Sequence, residues 1–248
     1  MFPYRDDNPT TLKPVMTVAI IGLNVLVWVL VQGMGSANLL ASSICGLGLI
    51  PASLLGLVPV GTMAPLGPEM ACEIGPAHWW TVLSSMFLHG GWLHLIGNMW
   101  FLWIFGNNIE DAMGHVRFLV FYLVCGVAAA AAQIGVQPHS TIPMVGASGA
   151  ISGVLGGYLL LYPRVRVHTL VFLGFYVTTI QLPAYLMLGF WILLQLLGGL
   201  PSVGVQDGGV AYFAHIGGFV AGLVLVRLFT SPELLARRAS AQPTFREW

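Results

Sequence analysis

The stretch Gly146-Ala147-Ser148-Gly149-Ala150-Ile151-Ser152-Gly153 heads an apolar segment that closes at Tyr162-Pro163. Read as a helix over 148–162, the segment is about 15 residues long, or about 22 Å at 1.5 Å per residue. The hydrocarbon core of a bilayer is about 30 Å thick. A helix that short starts below the membrane surface, in a depression that holds water, because the loop before it must stay solvated. Ser148 is the first residue of the helix. Its backbone N–H therefore has no intrahelical acceptor, and its hydroxyl stands at the mouth of the depression.

Composition says that this segment lies in a membrane. Of the 248 residues, 57% are hydrophobic and only 7% are charged, and the mean hydropathy is +0.85. A soluble domain carries about 25% charged residues, so no water-facing surface of ordinary size can be built here. The net charge is zero, so no basic face for nucleic acid is expected. The three cysteines, Cys45, Cys72 and Cys125, have no metal-binding or CxxC spacing. No cleavable leader is expected, because the N-terminal residues are polar and no small-residue cleavage site follows the first apolar run.

Outward from the short helix, the apolar runs predict an all-α, polytopic membrane protein with six transmembrane helices. The spans are 15–31, 92–105, 118–134, 148–162, 183–197 and 210–229. A large outer loop at about 32–78 is too broken by prolines to be one span. Residues 106–114 read as a short polar turn, 135–145 as an uncharged loop and 231–248 as a polar tail. The β-branched and aromatic stretch 163–181 has no clear assignment. The implied organisation is a cytoplasmic segment 1–14, a membrane domain 15–230 and a cytoplasmic tail 231–248. With the N-terminus inside, all nine basic residues fall on the cytoplasmic side: Arg5, Lys13, Arg117, Arg164, Arg166, Arg227, Arg237, Arg238 and Arg246. Such one-sidedness supports the orientation and the even number of spans. Glu69, Glu73 and Asp207 fall outside, as do Cys45 and Cys72, which could form a disulfide there or remain two free thiols.

Topology turns sequence into depth. The second, fourth and sixth spans all enter from outside, which puts His94 and Asn98, Ser148, and His215 at similar depth. The serine string alone is a weak signal, since serine in a membrane helix ordinarily bonds its own backbone or aids packing. A histidine inside a span is costly and tends to be paired or functional. Small residues flank both: Gly149, Gly153 and Gly157 on one helix, Ala214, Gly218 and Gly222 on the other. Faces of this kind let two backbones approach closely. Ser148 would then meet His215, and a neutral imidazole could take the hydroxyl proton and return it to a leaving amine. His94 and Asn98 share a helix face at i, i+4 and could hold a developing oxyanion with the Ser148 N–H. The alternative for this pair is a plain interhelical hydrogen bond. A metal site of His89, His94 and His215 is disfavoured, because it lacks a carboxylate or an H-E-x-x-H pair. No Asp or Glu is placed to orient His215, so a dyad is expected rather than a triad.

Three ordered motifs carry a family resemblance: Met86-Phe87-Leu88-His89-Gly90-Gly91-Trp92-Leu93-His94-Leu95-Ile96-Gly97-Asn98, Gly146-Ala147-Ser148-Gly149 and Ala214-His215-Ile216-Gly217-Gly218. The chain resembles the rhomboid family of intramembrane serine proteases over about 79–226. The resemblance implies a six-helix core, Ser148 as nucleophile, His215 as general base, and an oxyanion hole of His94, Asn98 and the Ser148 backbone. It also implies cleavage of transmembrane protein substrates near their outer ends, with no metal or cofactor. Glu110 resembles a cytoplasmic-side glutamate that ties helices together. Tyr185, Phe190 and Trp191 on the fifth span stand where the family has a lateral gate. Two positions depart from the pattern. Thr81 follows Trp80 where many relatives have arginine. Ser152 stands where many have an aromatic residue against the catalytic histidine, leaving Tyr212 or Phe213 as candidates to cover the ring.

The expected location is a bacterial plasma membrane, with both termini cytoplasmic and the site open to the outer side. The expected partners are the bilayer and transmembrane substrates. A catalytically silent helix-binding relative and a small transporter built on buried histidines are the competing readings, and no inverted repeat favours the transporter.

Overall fold

The structure is a computed structural model that describes residues 2–65, 71–174, 176–202 and 209–241. Glu69, Asp207 and Arg246, which enter the charge count, lie outside the described residues. The chain begins with strand β1 (Phe2–Asp6) and helices α1 (Val15–Leu30), α2 (Ala37–Leu47) and α3 (Pro51–Leu54). Strands β2 (Met63–Pro65) and β3 (Ala71–Glu73) follow, then helices α4 (Thr81–Ser84), α5 (Trp92–Phe101), α6 (Asn107–Met113), α7 (His115–Val136) and α8 (Ser148–Leu161). Strands β4 (Arg166–Leu173) and β5 (Tyr176–Pro183) precede α9 (Ala184–Ser202), α10 (Tyr212–Phe229) and α11 (Pro232–Ala241). The result is a polytopic helical membrane bundle. Among the described residues, α7, α9 and α10 are each long and apolar enough to cross a bilayer, and α1, α2 and α8 are shorter apolar helices.

Helix α8 is the axis of the bundle. It is buried without a break from Gly149 to Tyr158, as a helix apolar on all sides must be. Helix α10 lies directly on it. A Cβ at Gly218 would strike the carbonyl oxygen of Gly149, and one at Gly222 the carbonyl oxygen of Gly153. The two pairs advance together along both helices, so α8 and α10 run parallel and begin at the same end of the bundle. Gly156, which the sequence pattern did not single out, meets the Phe219 backbone in the same way.

Four regions differ from the sequence expectation. Residues 106–114 are not a turn: α5 passes through a π turn, Leu102–Gly106, into α6 and stays helical to Met113. The charges there are buried and partnered. Glu110 accepts hydrogen bonds from the Met16 and Thr17 amides, each at 2.8 Å, and from the Thr17 hydroxyl at 2.7 Å. These amides are the unsatisfied donors at the start of α1, whose own cap residue, Pro14, makes no side-chain bond. A carboxylate there also answers the positive end of the helix dipole, an effect of up to about 2 kcal/mol when partly buried. Asp111 takes the Thr11 and Leu12 amides and pairs with Arg238 at 2.9 Å.

Residues 163–181 form most of an antiparallel hairpin of β4 and β5, turning at Gly174 with φ +63°. The N-terminal segment supplies its third strand, β1, in the order β1-β4-β5. Alternating β-branched residues suit a half-covered strand, and this decides a stretch that helical periodicity could not. The tail is also structured: α11 buries Arg238 against Asn8, Asn108 and Asp111. Losing one partner of a buried ion pair costs about 3–5 kcal/mol, which explains why this short polar helix stays docked. Within the large outer loop, Cys45 and Cys72 form a disulfide that ties α2 to β3.

Two measurements check this account. Gly222→Ala drives a methyl group into the Gly153 backbone and is expected to destabilise by about 1–3 kcal/mol. Gly189→Ala, with nothing within 4 Å of the new methyl, is expected to be neutral or to stabilise by about 0.4–1 kcal/mol. Thermal unfolding in detergent should come at lower temperature for Gly222→Ala and at an equal or higher one for Gly189→Ala. The second measurement concerns Asp6, which accepts from the Tyr158 hydroxyl at 2.6 Å and from Asn108 at 2.9 Å. Burial pushes its carboxyl from 3.8 up to about 6, against the lowering effect of Tyr158 and Arg238. The folded chain thus binds this proton more tightly than the unfolded one. The resulting stability is complete below about 4 and is lost as pH rises through about 6. Wild-type thermal stability should fall more steeply between pH 4 and pH 7 than that of Asp6→Asn, and equal slopes would remove Asp6 from the account.

Candidate active site

The start of α8 is pinned before it begins. Leu49 and Met144 exchange backbone hydrogen bonds of 3.1 and 2.7 Å, and the Gly146 amide donates to the Ser85 carbonyl at 2.9 Å. The loop that the sequence left uncharged therefore finds its partners in the outer loop and in the residues before α5. Gly146, at φ +129°, occupies a conformation that favours glycine. Space demands it as well, since a Cβ there would lie 2.8 Å from His94 Nε2 and 3.4 Å from Ser148 Oγ.

Ser148 is the first residue of α8, and its Oγ lies 2.8 Å from His215 Nε2. His215 is in the first turn of α10. The start of α10 is held by a glutamine relay. Gln133 Oε1 accepts from the Ala214 amide at 3.1 Å, Gln133 Nε2 donates to Gln137 Oε1 at 2.7 Å, and Gln137 Nε2 donates to the Ser202 carbonyl at 2.7 Å. This relay joins α7 to α10 and to the end of α9.

His94 Nδ1 accepts from the Gly90 amide at 3.2 Å. Its proton is therefore on Nε2, the nitrogen that faces Gly146 beside Ser148. Asn98 lies one turn further along α5 and is buried. Its Nδ2 meets no hydrogen-bond acceptor among the described residues. His89 packs its ring edgewise on His94 at 5.2 Å, while its backbone exchanges two 2.8 Å hydrogen bonds with the Gln32 side chain. His94, Asn98, Ser148 and His215 all line one cavity of about 620 Å³.

Three features escape the sequence reading. Ser152 does not leave a gap but donates to the Ser148 carbonyl at 2.6 Å, as helical serines commonly do. The ring of His215 is covered by Trp191, with centroids 5.9 Å apart, and not by Tyr212 or Phe213, which pack on Gly198 and Gly199 of α9. Finally, His215 Nδ1 lies 2.8 Å from Gln195 Oε1. A neutral amide thus stands where an acid would be the usual partner. The available signal was a glutamine in an otherwise apolar run, one turn after Trp191.

The family model for the Rhomboid domain matches residues 76–232, more than half of the chain. The chain is 31% identical over 175 residues to Rhomboid protease GluP of Bacillus subtilis (strain 168), covering 71% of this chain and 33% of that protein. It is 34% identical over 146 residues to RHOMBOID-like protein 4 of Arabidopsis thaliana, covering 59% and 33%. It is 30% identical over 156 residues to Rhomboid-like protein 11, chloroplastic, of Arabidopsis thaliana, covering 61% and 53%. The chain thus spans about a third to a half of the length of these curated relatives.

Proposed function

This chain belongs to the rhomboid family, and from that premise we propose that it is an intramembrane serine endopeptidase working with a Ser148–His215 dyad. The observation that carries the reading is the 2.8 Å contact between Ser148 Oγ and His215 Nε2 at the mouth of a cavity inside the bundle. Ser148 attacks the carbonyl carbon of a peptide bond while its proton passes to His215 Nε2. The carbonyl π electrons move to oxygen, and the negative charge is taken by the Ser148 N–H, His94 Nε2–H and Asn98 Nδ2. On collapse, His215 returns the proton to the leaving amine and an acyl-serine remains. A water molecule, deprotonated by His215, hydrolyses the ester and regenerates the hydroxyl.

Two physical points support the oxyanion assignment. The Ser148 amide is at a helix N-terminus, where donors lack intrahelical acceptors and the dipole favours negative charge. The unpartnered Asn98 Nδ2 is costly in the resting protein, and an acceptor that forms only during reaction repays that cost where it accelerates chemistry. The substrates of this scheme are transmembrane segments of other proteins, which reach Ser148 at the shared end of α8 and α10. The one-sided distribution of lysine and arginine supports a cytoplasmic position for both termini and an outward-facing site.

Ser148→Ala is expected to abolish cleavage of a transmembrane substrate in proteoliposomes and labelling by a fluorophosphonate. Unaltered cleavage would falsify the reading, and an unreactive wild type would favour a silent helix-binding relative. Asn98→Ala is expected to lower kcat by about 100- to 1,000-fold with little change in KM, because its hydrogen bond belongs to the transition state. A rise in KM at constant kcat would make Asn98 a ground-state contact instead.

A further inference from the structure

We propose that Gln195 is a positioning residue that sets the tautomer and angle of His215. The inference rests on the serine-protease reading above and adds a third member to what the sequence presents as a dyad.

The geometry fixes which way each group points. Gln195 Nε2 donates to the Trp191 carbonyl one turn back, at 3.4 Å. The amide oxygen is left to face His215 Nδ1 at 2.8 Å. An amide oxygen only accepts, so Nδ1 carries the imidazole proton. Nε2 is then the bare nitrogen, and it is Nε2 that lies 2.8 Å from Ser148 Oγ. With the other tautomer, Nε2 would present a hydrogen to Ser148 and could not accept its proton. The two contacts therefore agree on one protonation pattern, the one a general base needs.

The placement on α9 is selective. Leu193, Leu194, Leu196 and Leu197 are all exposed on the bundle surface, toward lipid. Gln195 sits among them yet turns inward, on the face it shares with Trp191 and the buried Leu188. One turn of α9 thus delivers two constraints to one ring: Trp191 against its face and Gln195 at Nδ1. A glutamine needed only for packing would have no reason to meet the one ring nitrogen that decides the tautomer. A neutral acceptor also differs from a carboxylate. It orients the ring without adding a negative charge inside the bundle, where an unpaired charge is expensive.

The test uses full-length protein in proteoliposomes, with a transmembrane peptide substrate and, separately, a small fluorophosphonate. Gln195→Met keeps side-chain length but removes the acceptor. It is expected to lower kcat and the labelling rate by about 10- to 100-fold, part of the 100- to 10,000-fold that a general base contributes, while KM changes by less than about twofold. Gln195→Asn retains the amide but cannot reach Nδ1, so it should show the same loss and serves if Gln195→Met folds poorly. Gln195→Glu restores an acceptor and is expected to recover most of both rates. The small probe needs no entry of a substrate helix. Slower peptide cleavage with normal labelling in Gln195→Met and Gln195→Asn would mean that Gln195 only packs α9, and the proposal falls. Wild-type rates in both variants would also sink it, leaving the protease reading intact. A wild type that neither cleaves nor labels overturns the protease reading and this inference with it.

Discussion

The backbone contact between α8 and α10 is the constraint on which the site depends. In lipid, two apolar helices gain little from hiding apolar surface from each other, because the acyl chains are as apolar as leucine. What remains is close packing, and here packing is carried to backbone against backbone. Gly149 meets Gly218 and Gly153 meets Gly222, with no room for a methyl group at either α10 position. The register is thereby discrete: a slide of one residue would bring side chains into the contact. Because the helices are parallel, this register also brings their N-terminal turns together, and Ser148 and His215 are the polar residues in those turns. The 2.8 Å contact between them follows from the glycine register that begins at Gly149 and Gly218.

The opposite end of the bundle solves a different problem, that of charge. Glu110, Asp111 and Arg238 are buried in a protein with few charges, and each is compensated by backbone amides or by an opposite charge. Glu110 caps α1, Asp111 holds the chain that leads into it, and Arg238 brings α11 over both. The sheet built from β1, β4 and β5 adds backbone pairing between the N-terminus and the connection from α8 to α9. The helices are therefore fastened by buried charges at this end, and at the other by steric fit together with uncharged hydrogen bonds such as the glutamine relay. There, among the described residues, Asn98 Nδ2 meets no hydrogen-bond acceptor.

How much of this was legible in the sequence follows from the physics of each signal. Polar residues in apolar helices stand out, so Ser148, His94, Asn98 and His215 could be found and matched by depth. Small-residue faces are also periodic, which made the α8–α10 contact readable. Residues 163–181 were not, because a short apolar, β-branched run has no period that separates strand from helix when its partner, β1, lies some 160 residues away. The helical character of 106–114 was hidden because charges suggested exposure, although their partners were the start of α1 and a distant arginine. Gln133 and Gln195 went unnoticed because an uncharged side chain in a span reads as incidental until its partner is known.

Ser152 shows how a departure from a family pattern can be absorbed by the packing around it. An aromatic residue at that position would cover the histidine from the helix that carries Ser148, and its place would be fixed by the same backbone. Here Ser152 closes onto its own helix, and the cover comes from Trp191 on α9. Gln195, on the next turn, contacts the same ring. The cover and the Nδ1 partner of His215 thus come from a helix with a largely exposed outer face and not from the deeply buried α8. Helix α9 meets α10 through side chains on glycine, Tyr212 against Gly198 and Gly199, and not backbone on backbone as α8 does. Any displacement of α9 changes the packing and the hydrogen bond of His215 together, while the α8–α10 contact keeps Ser148 within reach. In this chain the reach of Ser148 to His215 and the cover of the His215 ring rest on different helices.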